Sequence, residues 1–318
     1  MKVTVVGAGG NVGSTVALSV AQRDFAKEVI AVDLERKDGE KTFYPSKGRA
    51  LDQWESSPIH LFDTRVKGTT DYADTAGSDV CVITAGVPRR PGMSRDDLLE
   101  INANIVRSVT TELVKHSPDT IIIVVSNPLD VMVQVAKDAS GLPYEKVMGM
   151  AGILDTARYR AFIADELNVS PKDIQALLMG GHGDTMVPLP RFTTLAGMPI
   201  THFISDERLE EIVNRAKKGG GEIVGLMGTS AWYAPGAAAA QMVEAILLDQ
   251  NRIFPVCAHI DGQYGVDDLY IGVPVKLGKG GIKEVIEVEL TKEESDLMQK
   301  SADAVRGTLN DFKKLMNK

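Results

Sequence analysis

Over the first 145 residues, short apolar runs recur between helical patterns: KVTVV (2–6), EVIAVD (28–33), TRVKG (64–68), DVCVITA (79–85) and TIIIVVS (120–126). Each run is continuous rather than alternating, as expected of a strand covered on both faces. Between them, Val12, Val16 and Val20 fall at helical spacing, and SRDDLLEINANIVRSVTTELVKH (94–116) opens with Ser94 and Asp97 in capping-box positions. Strands alternating with helices predict an α/β chain with a doubly wound parallel sheet and crossover helices.

After GLPYEKVMGMAG (141–152) the pattern changes to mixed elements, with helices expected near 154–168, 206–218 and 292–315 and short strands such as IQALLM and YIGVPVKL among turn residues. The change places a domain boundary near 144, giving a unit of 1–144 and a mixed α/β (α+β) unit of 145–318. The segment ERKDGEKTFYPSKGR (35–49) is polar, with Gly39 and Pro45, and reads as a surface loop or excursion. GAAAAQMVEAI (236–246) is a small-residue helix stripe suited to close packing, either inside the chain or between copies.

Composition narrows the class. The 318 residues are 44% hydrophobic and 25% charged, which is ordinary for a folded chain able to bury a sizeable core. The net charge of -8 and the lack of a dense Lys/Arg cluster argue against a nucleic-acid partner. No eighteen-residue apolar run or leader-like start is visible, so no membrane association and a cytoplasmic location are expected. The two cysteines, Cys81 and Cys257, lack disulfide-framework or metal-ligand spacing and read as inert core thiols, and no metal is expected.

The first strand runs into VVGAGGNVG (5–13) and then a helix. A strand, a glycine turn and a helix start aim backbone N–H groups at an anion that the helix dipole also favours. Glycines at positions one, three and six are the usual dinucleotide pattern. Here Gly7, Gly10 and Gly13 fill one, four and seven, with Gly9 as an added freedom. In this longer turn Gly7 would make the bend, Gly10 the close approach and Gly13 the helix packing, with the amides of Asn11 and Val12 facing a pyrophosphate. A tight turn without a ligand would look alike. Asp33, closing the next strand, is placed to accept hydrogen bonds from a ribose diol and to repel a 2′-phosphate, which favours NAD over NADP. Together these mark a Rossmann-type domain; a flavin or methyl-donor nucleotide would leave similar traces.

Three further stretches carry chemistry. TAGVPRRPGMSRDD (84–97) holds Arg89, Arg90 and Arg95 at the carboxyl end of the fourth strand, where ligands bind in such sheets, and suits a small dianion or a solvated charged loop. GILDTARYR (152–160) puts Asp155 and Arg158 on one helix face, as a site or as a surface ion pair. MGGHGDTMVP (179–188) sets His182 between glycines, whereas His60, His116, His202 and His259 lie in plain surface or loop contexts. Asp184 is the nearest carboxylate to His182 in sequence, which does not choose the orienting partner.

The glycine turn, Asp33, PRRPGMSR, VSNPLD, LDTAR and GGHGDTMVP occur in the order and spacing of the lactate and malate dehydrogenase family, and along nearly its whole length the chain resembles that family. It looks most like the malate dehydrogenases close in sequence to lactate dehydrogenases. The resemblance implies an NAD-dependent oxidoreductase acting on a dicarboxylate, malate or oxaloacetate, and a homodimer or tetramer. It implies that His182 is the proton donor and acceptor and that Asp155 orients it. It further implies that Arg158 holds the C1 carboxylate, Arg95 polarises the reacting carbonyl with Asn127 assisting, and Arg89 meets the second carboxylate. Asn102, Val125 and Asn127 would line the nicotinamide, and Ser230 would lie near the substrate. Segment 35–49 looks longer than the family usually carries; Phe43 or Tyr44 could cover the adenosine or simply decorate the surface. Lactate dehydrogenase, an NAD-dependent glycosidase and a non-catalytic NAD-binding protein are the competing readings.

Overall fold

The computed structural model describes residues 1–88 and 94–316. The five predicted runs form β1 (Lys2–Val6), β2 (Glu28–Val32), β3 (Arg65–Thr69), β4 (Val80–Ile83) and β5 (Ile121–Val124). A sixth strand, β6 (Val147–Gly149), follows, and three more come from the carboxyl-terminal half: β7 (Arg252–Ile260), β8 (Leu269–Gly278) and β9 (Gly281–Val285). All nine join one sheet in the order β9-β8-β7-β6-β5-β4-β1-β2-β3. Strands β1 to β6 pair in parallel, and β7 to β9 pair antiparallel on the far side of β6. The sheet therefore runs across position 144.

Burial follows the sequence pattern where a strand is central. Every residue of β4 and β5 is buried, and in β1 and β2 only the first is not. The run TRVKG is the exception to its expected two-sided burial. As β3 it alternates, with Val66 buried and Arg65 and Lys67 exposed, because it forms the sheet's edge.

Helices cover both faces. On one side, α1 (Asn11–Gln22) lies against a later helix, Tyr233–Leu247, which carries the alanine stripe. There Ala238, Ala239 and Ala240 are buried, and a Cβ built on Gly236 would stand 2.5 Å from Thr15 Cγ2, so the stripe is an internal close contact. Segment 35–49 is only partly a loop. An exposed hairpin, Arg36–Asp38 with Lys41–Phe43, turns at Gly39, and Pro45 then opens α2 (Pro45–Glu55) as a first-turn proline whose missing N–H costs nothing.

The opposite face carries α3 (Arg95–His116) and α4 (Leu129–Ser140). The predicted capping box is present: Ser94 Oγ accepts from the Asp97 amide and Asp97 Oδ2 from the Ser94 amide, both at 3.0 Å. Beyond β6 come α5 (Gly152–Leu167) and α6 (Asp206–Met227), then α7 (the Tyr233–Leu247 helix) and α8 (Lys292–Met316). Helix α6 continues past its expected end at 218 through Gly219, Gly220 and Gly221. Helical glycines cost about 1 kcal/mol each, but Gly219 seats the side chain of Arg158, its Cβ position lying 3.1 Å from Arg158 Cδ. IQALLM divides into two short strands, Ile174–Gln175 and Leu178–Met179.

Candidate active site

The carboxyl ends of β1, β2, β4 and β5 open on one edge of the sheet, and the glycine turn is built there. Gly7 has φ +86°, and its amide and that of Ala8 both donate to Val32 O. A Cβ on Gly7 would stand 2.7 Å from Thr84 Oγ1, and one on Gly13 would stand 2.5 Å from the Gly7 carbonyl, so both positions require glycine. Gly10 is under milder constraint, at 3.2 Å from the same carbonyl. Gly9 is not merely an added freedom. Its amide donates to Asp33 Oδ2 at 2.7 Å, and a Cβ there would collide with that oxygen. Asp33 Oδ1 accepts from the Leu34 amide, so the carboxylate is fixed against the turn while each oxygen keeps capacity for another donor.

The amino end of α1, Asn11–Val12–Gly13, begins directly after Gly10 and has no side-chain cap, which leaves its first amides available to an anion. Arg49, a residue that carried no signal in the sequence, reaches from α2 to this point, its guanidinium donating to Ser14 Oγ and to Asn11 Oδ1, each at 2.8 Å.

Asn102 is buried on α3, and its carboxamide is fully engaged with backbone. Its Oδ1 accepts from the Val87 amide at 2.8 Å, and its Nδ2 donates to Asn127 O at 2.7 Å and Val87 O at 3.2 Å. It clamps the segment after β4 to the segment after β5. Val125 is half-buried with its amide on Ile83 O, and Asn127 is exposed beyond it.

His182 sits in a loop tied down on two sides. An isolated bridge pairs Gly180 with Gly272 of β8, and Ser301 Oγ of α8 accepts from the Gly181 amide at 2.8 Å. The ring Nδ1 lies 2.8 Å from Oδ2 of Asp155 on the first turn of α5, whose side chain is 3% exposed. Asp184 makes no hydrogen bond to it among the described residues, so the partner is the carboxylate distant in sequence. Arg158 Nη1 approaches the other oxygen, Asp155 Oδ1, at 3.3 Å, while Arg158 Nε is buried with no partner among the described residues. Asp130, at the start of α4, accepts from the His182 backbone amide at 3.3 Å through Oδ2 and from the Cys257 thiol at 3.3 Å through Oδ1.

Burial disfavours charge on His182, but the charge and hydrogen bond of Asp155 and the charge of Asp130 outweigh it and hold the imidazole above its ordinary pKa, Arg158 opposing. Burial raises the Asp130 carboxyl, and burial with the Asp130 charge pushes the Cys257 thiol well above its usual range. Burial alone drives Cys81 up to about 12, as expected of an inert core thiol.

Of the remaining candidates, Arg89 lies outside the described residues, Arg95 opens α3, and Ser230 is exposed in the link between α6 and α7. His259 is less plain than its sequence context implied: on β7 it stacks on Tyr144 with ring centroids 3.7 Å apart and bonds Asp268 at 2.9 Å. Among the described residues no helix is long and apolar enough to cross a membrane.

Comparison with known proteins adds a second line. Residues 1–149 match the lactate/malate dehydrogenase NAD-binding domain, and 153–316 match the lactate/malate dehydrogenase alpha/beta C-terminal domain. The chain is 63% identical over 315 residues to a malate dehydrogenase of Salinibacter ruber, covering 99% of this chain and 98% of the relative. It is 58% identical to a malate dehydrogenase of Cytophaga hutchinsonii, covering 98% and 97% of the two chains. The solved structure of a malate dehydrogenase from Salinibacter ruber superimposes with a TM-score of 0.93 at 60% identity, covering 100% of this chain and 99% of that one.

Proposed function

Since the chain belongs to the lactate/malate dehydrogenase family over nearly its whole length, we propose that this NAD-dependent oxidoreductase interconverts oxaloacetate and malate. The observation that carries the reading is the Arg158–Asp155–His182 group: a charge-supported imidazole beside a guanidinium whose buried Nε has no partner among the described residues. Such a donor set suits a 2-keto or 2-hydroxy acid, whose carboxylate and reacting oxygen must be held together.

The residues present fit NAD. The turn leaves no room for a Cβ at Gly7, Gly9 or Gly13, the start of α1 is uncapped, and the Asp33 carboxylate is fixed beside the turn. The first amides of α1, at Asn11 and Val12, would hold the pyrophosphate and Asp33 the ribose, with Asn102, Val125 and Asn127 toward the nicotinamide. When bound, the cofactor supplies or accepts the hydride.

The chain's own residues do the rest. With Nδ1–H directed at Asp155, the His182 imidazole is left with Nε2 to give a proton to the developing alkoxide, or to take one from the hydroxyl in reverse. Asp155 fixes the tautomer and stabilises the imidazolium. Arg158 clamps the C1 carboxylate, a planar two-point grip that lysine does not reproduce. Arg95 polarises the carbonyl, Asn127 assists, Arg89 pairs with the second carboxylate, and Ser230 lies toward the substrate. The family resemblance implies that closure of the TAGVPRRPGMSRDD loop (84–97), of which 89–93 lie outside the described residues, excludes water, which would strengthen these charges.

The reading extends to a division into an NAD-binding unit (1–144) and a substrate unit (145–318), to a homo-oligomer (dimer or tetramer), and to a cytoplasmic location. The decisive assay follows NADH absorbance with the purified chain and oxaloacetate, then pyruvate. Rapid NADH loss with oxaloacetate and slow loss with pyruvate is expected; the reverse preference, or no consumption of NADH, overturns the reading.

A further inference from the structure

The mechanism above uses one carboxylate on the His182 ring, yet a second meets the same residue at its backbone amide. Asp130 stands in the first turn of α4, where a helix start favours negative charge. Both of its oxygens receive donors: Oδ2 takes the His182 amide and Oδ1 the Cys257 thiol. The amide can only donate, and a thiol sulfur is a poor acceptor, so the pair is matched to the ionised carboxylate. A half-buried aspartate with a buried cysteine behind it is costly as packing alone. The cost is offset where the charge supports another, and the cation within reach is the His182 imidazolium.

We propose that Asp130 is a positioning residue for proton transfer, holding the His182 loop by its backbone and supporting the protonated ring by its charge, with the Cys257 thiol locking the carboxylate from behind. Among the described residues, the charged and titratable groups around His182 are then Asp155 and Arg158 from α5 and Asp130 from α4, with Cys257 of β7 behind it and Asp184 on the loop itself. The direction of the His182 shift agrees, since the Asp130 charge is among the influences that raise it.

The proposal rests on His182 being the proton carrier, but its test does not need turnover. The full chain is prepared with ring-labelled histidine, the His182 signal is assigned by its loss in His182→Asn, and the ring is titrated by NMR. Asp130→Asn keeps an acceptor for the amide and removes the charge, so the His182 midpoint should fall below that of the unsubstituted protein, with the kcat pH profile for keto-acid reduction moving the same way. Should Asp130→Asn fail to fold, Cys257→Ala removes the donor from Oδ1, makes the charged carboxylate costlier, and should move the midpoint in the same direction. Midpoints coincident with the unsubstituted protein in whichever of the two folds overturn the proposal. A shifted midpoint in an enzyme inactive on 2-keto acids would instead sink the functional reading and leave this one standing.

Discussion

His182 Nδ1 and Asp155 Oδ2 meet at 2.8 Å although the residues are 27 positions apart in the chain. The pair joins a loop pinned to β8 with the first turn of α5, and the Asp155 charge and hydrogen bond raise the imidazole's pKa. Because the folded imidazole lies above its ordinary pKa, keto-acid reduction with His182 as the proposed proton donor should be flat at low pH and fall as pH rises through that raised value. Hydroxy-acid oxidation should show the opposite limb. The contribution to stability has the same sign: fully present below the unfolded histidine value and lost as pH climbs through the folded one. pH profiles of kcat/KM in both directions check this, and Asp155→Asn should move both limbs downward.

His182→Asn should leave the Kd for NADH in place and lower kcat by roughly 10²- to 10⁴-fold, the usual share of a general acid. Fluorescence titration of NADH beside steady-state rates separates the two effects. Unchanged turnover would remove His182 from the chemistry.

Gly9→Ala places a methyl 2.7 Å from Asp33 Oδ2 and breaks the bond that fixes this carboxylate. A hydrogen bond to a charged group contributes about 1.5–3 kcal/mol, so NADH should bind roughly 10- to 100-fold more weakly. Calorimetric titration reads this directly, and Gly10→Ala, under milder constraint, should cost less.

Arg158→Lys keeps the charge but loses the planar pair of donors. The expected result is a KM for the keto acid higher by roughly 10- to 100-fold, with NADH affinity unaffected. An unchanged KM would contradict the role of Arg158 as the carboxylate clamp.

Arg89→Gln tests specificity. A buried charge left without its partner costs about 3–5 kcal/mol, and each ~1.4 kcal/mol is tenfold. The ratio of kcat/KM for oxaloacetate over pyruvate should therefore fall by about two to three orders of magnitude. A constant ratio would remove Arg89 from substrate selection.

Much of this was legible in the chain. The central strands announced themselves because two-sided burial leaves no polar position, as in IIIV of β5. Strand β3 misled because an edge strand is covered differently, and α6 runs past 218 with Gly219 packed on the Arg158 side chain, a contact no local pattern announces. The addition of β7–β9 to the same sheet was not readable, since periodicity reports burial and not the neighbour across the ladder. Residue identity alone did not select Asp155 over Asp184 as the partner of His182; that pairing came through the family resemblance, and the geometry then showed it. Asn102, read as a cofactor contact, spends its carboxamide on backbone, and Asp130 lay unremarked inside VSNPLD because its partners arrive from distant segments.

The single bridge between Gly149 and Cys257 joins the last parallel strand to the antiparallel ones, so both halves of the chain share one ladder. Swinging one half against the other would tear that ladder, which leaves no hinge through the middle of the molecule. On the proposed function, enclosure of a substrate would then fall to segments hung from the sheet's rim. On the proposed mechanism, the His182 ring, its loop moored to β8 at Gly180, would be a fixed post for those segments to shut against.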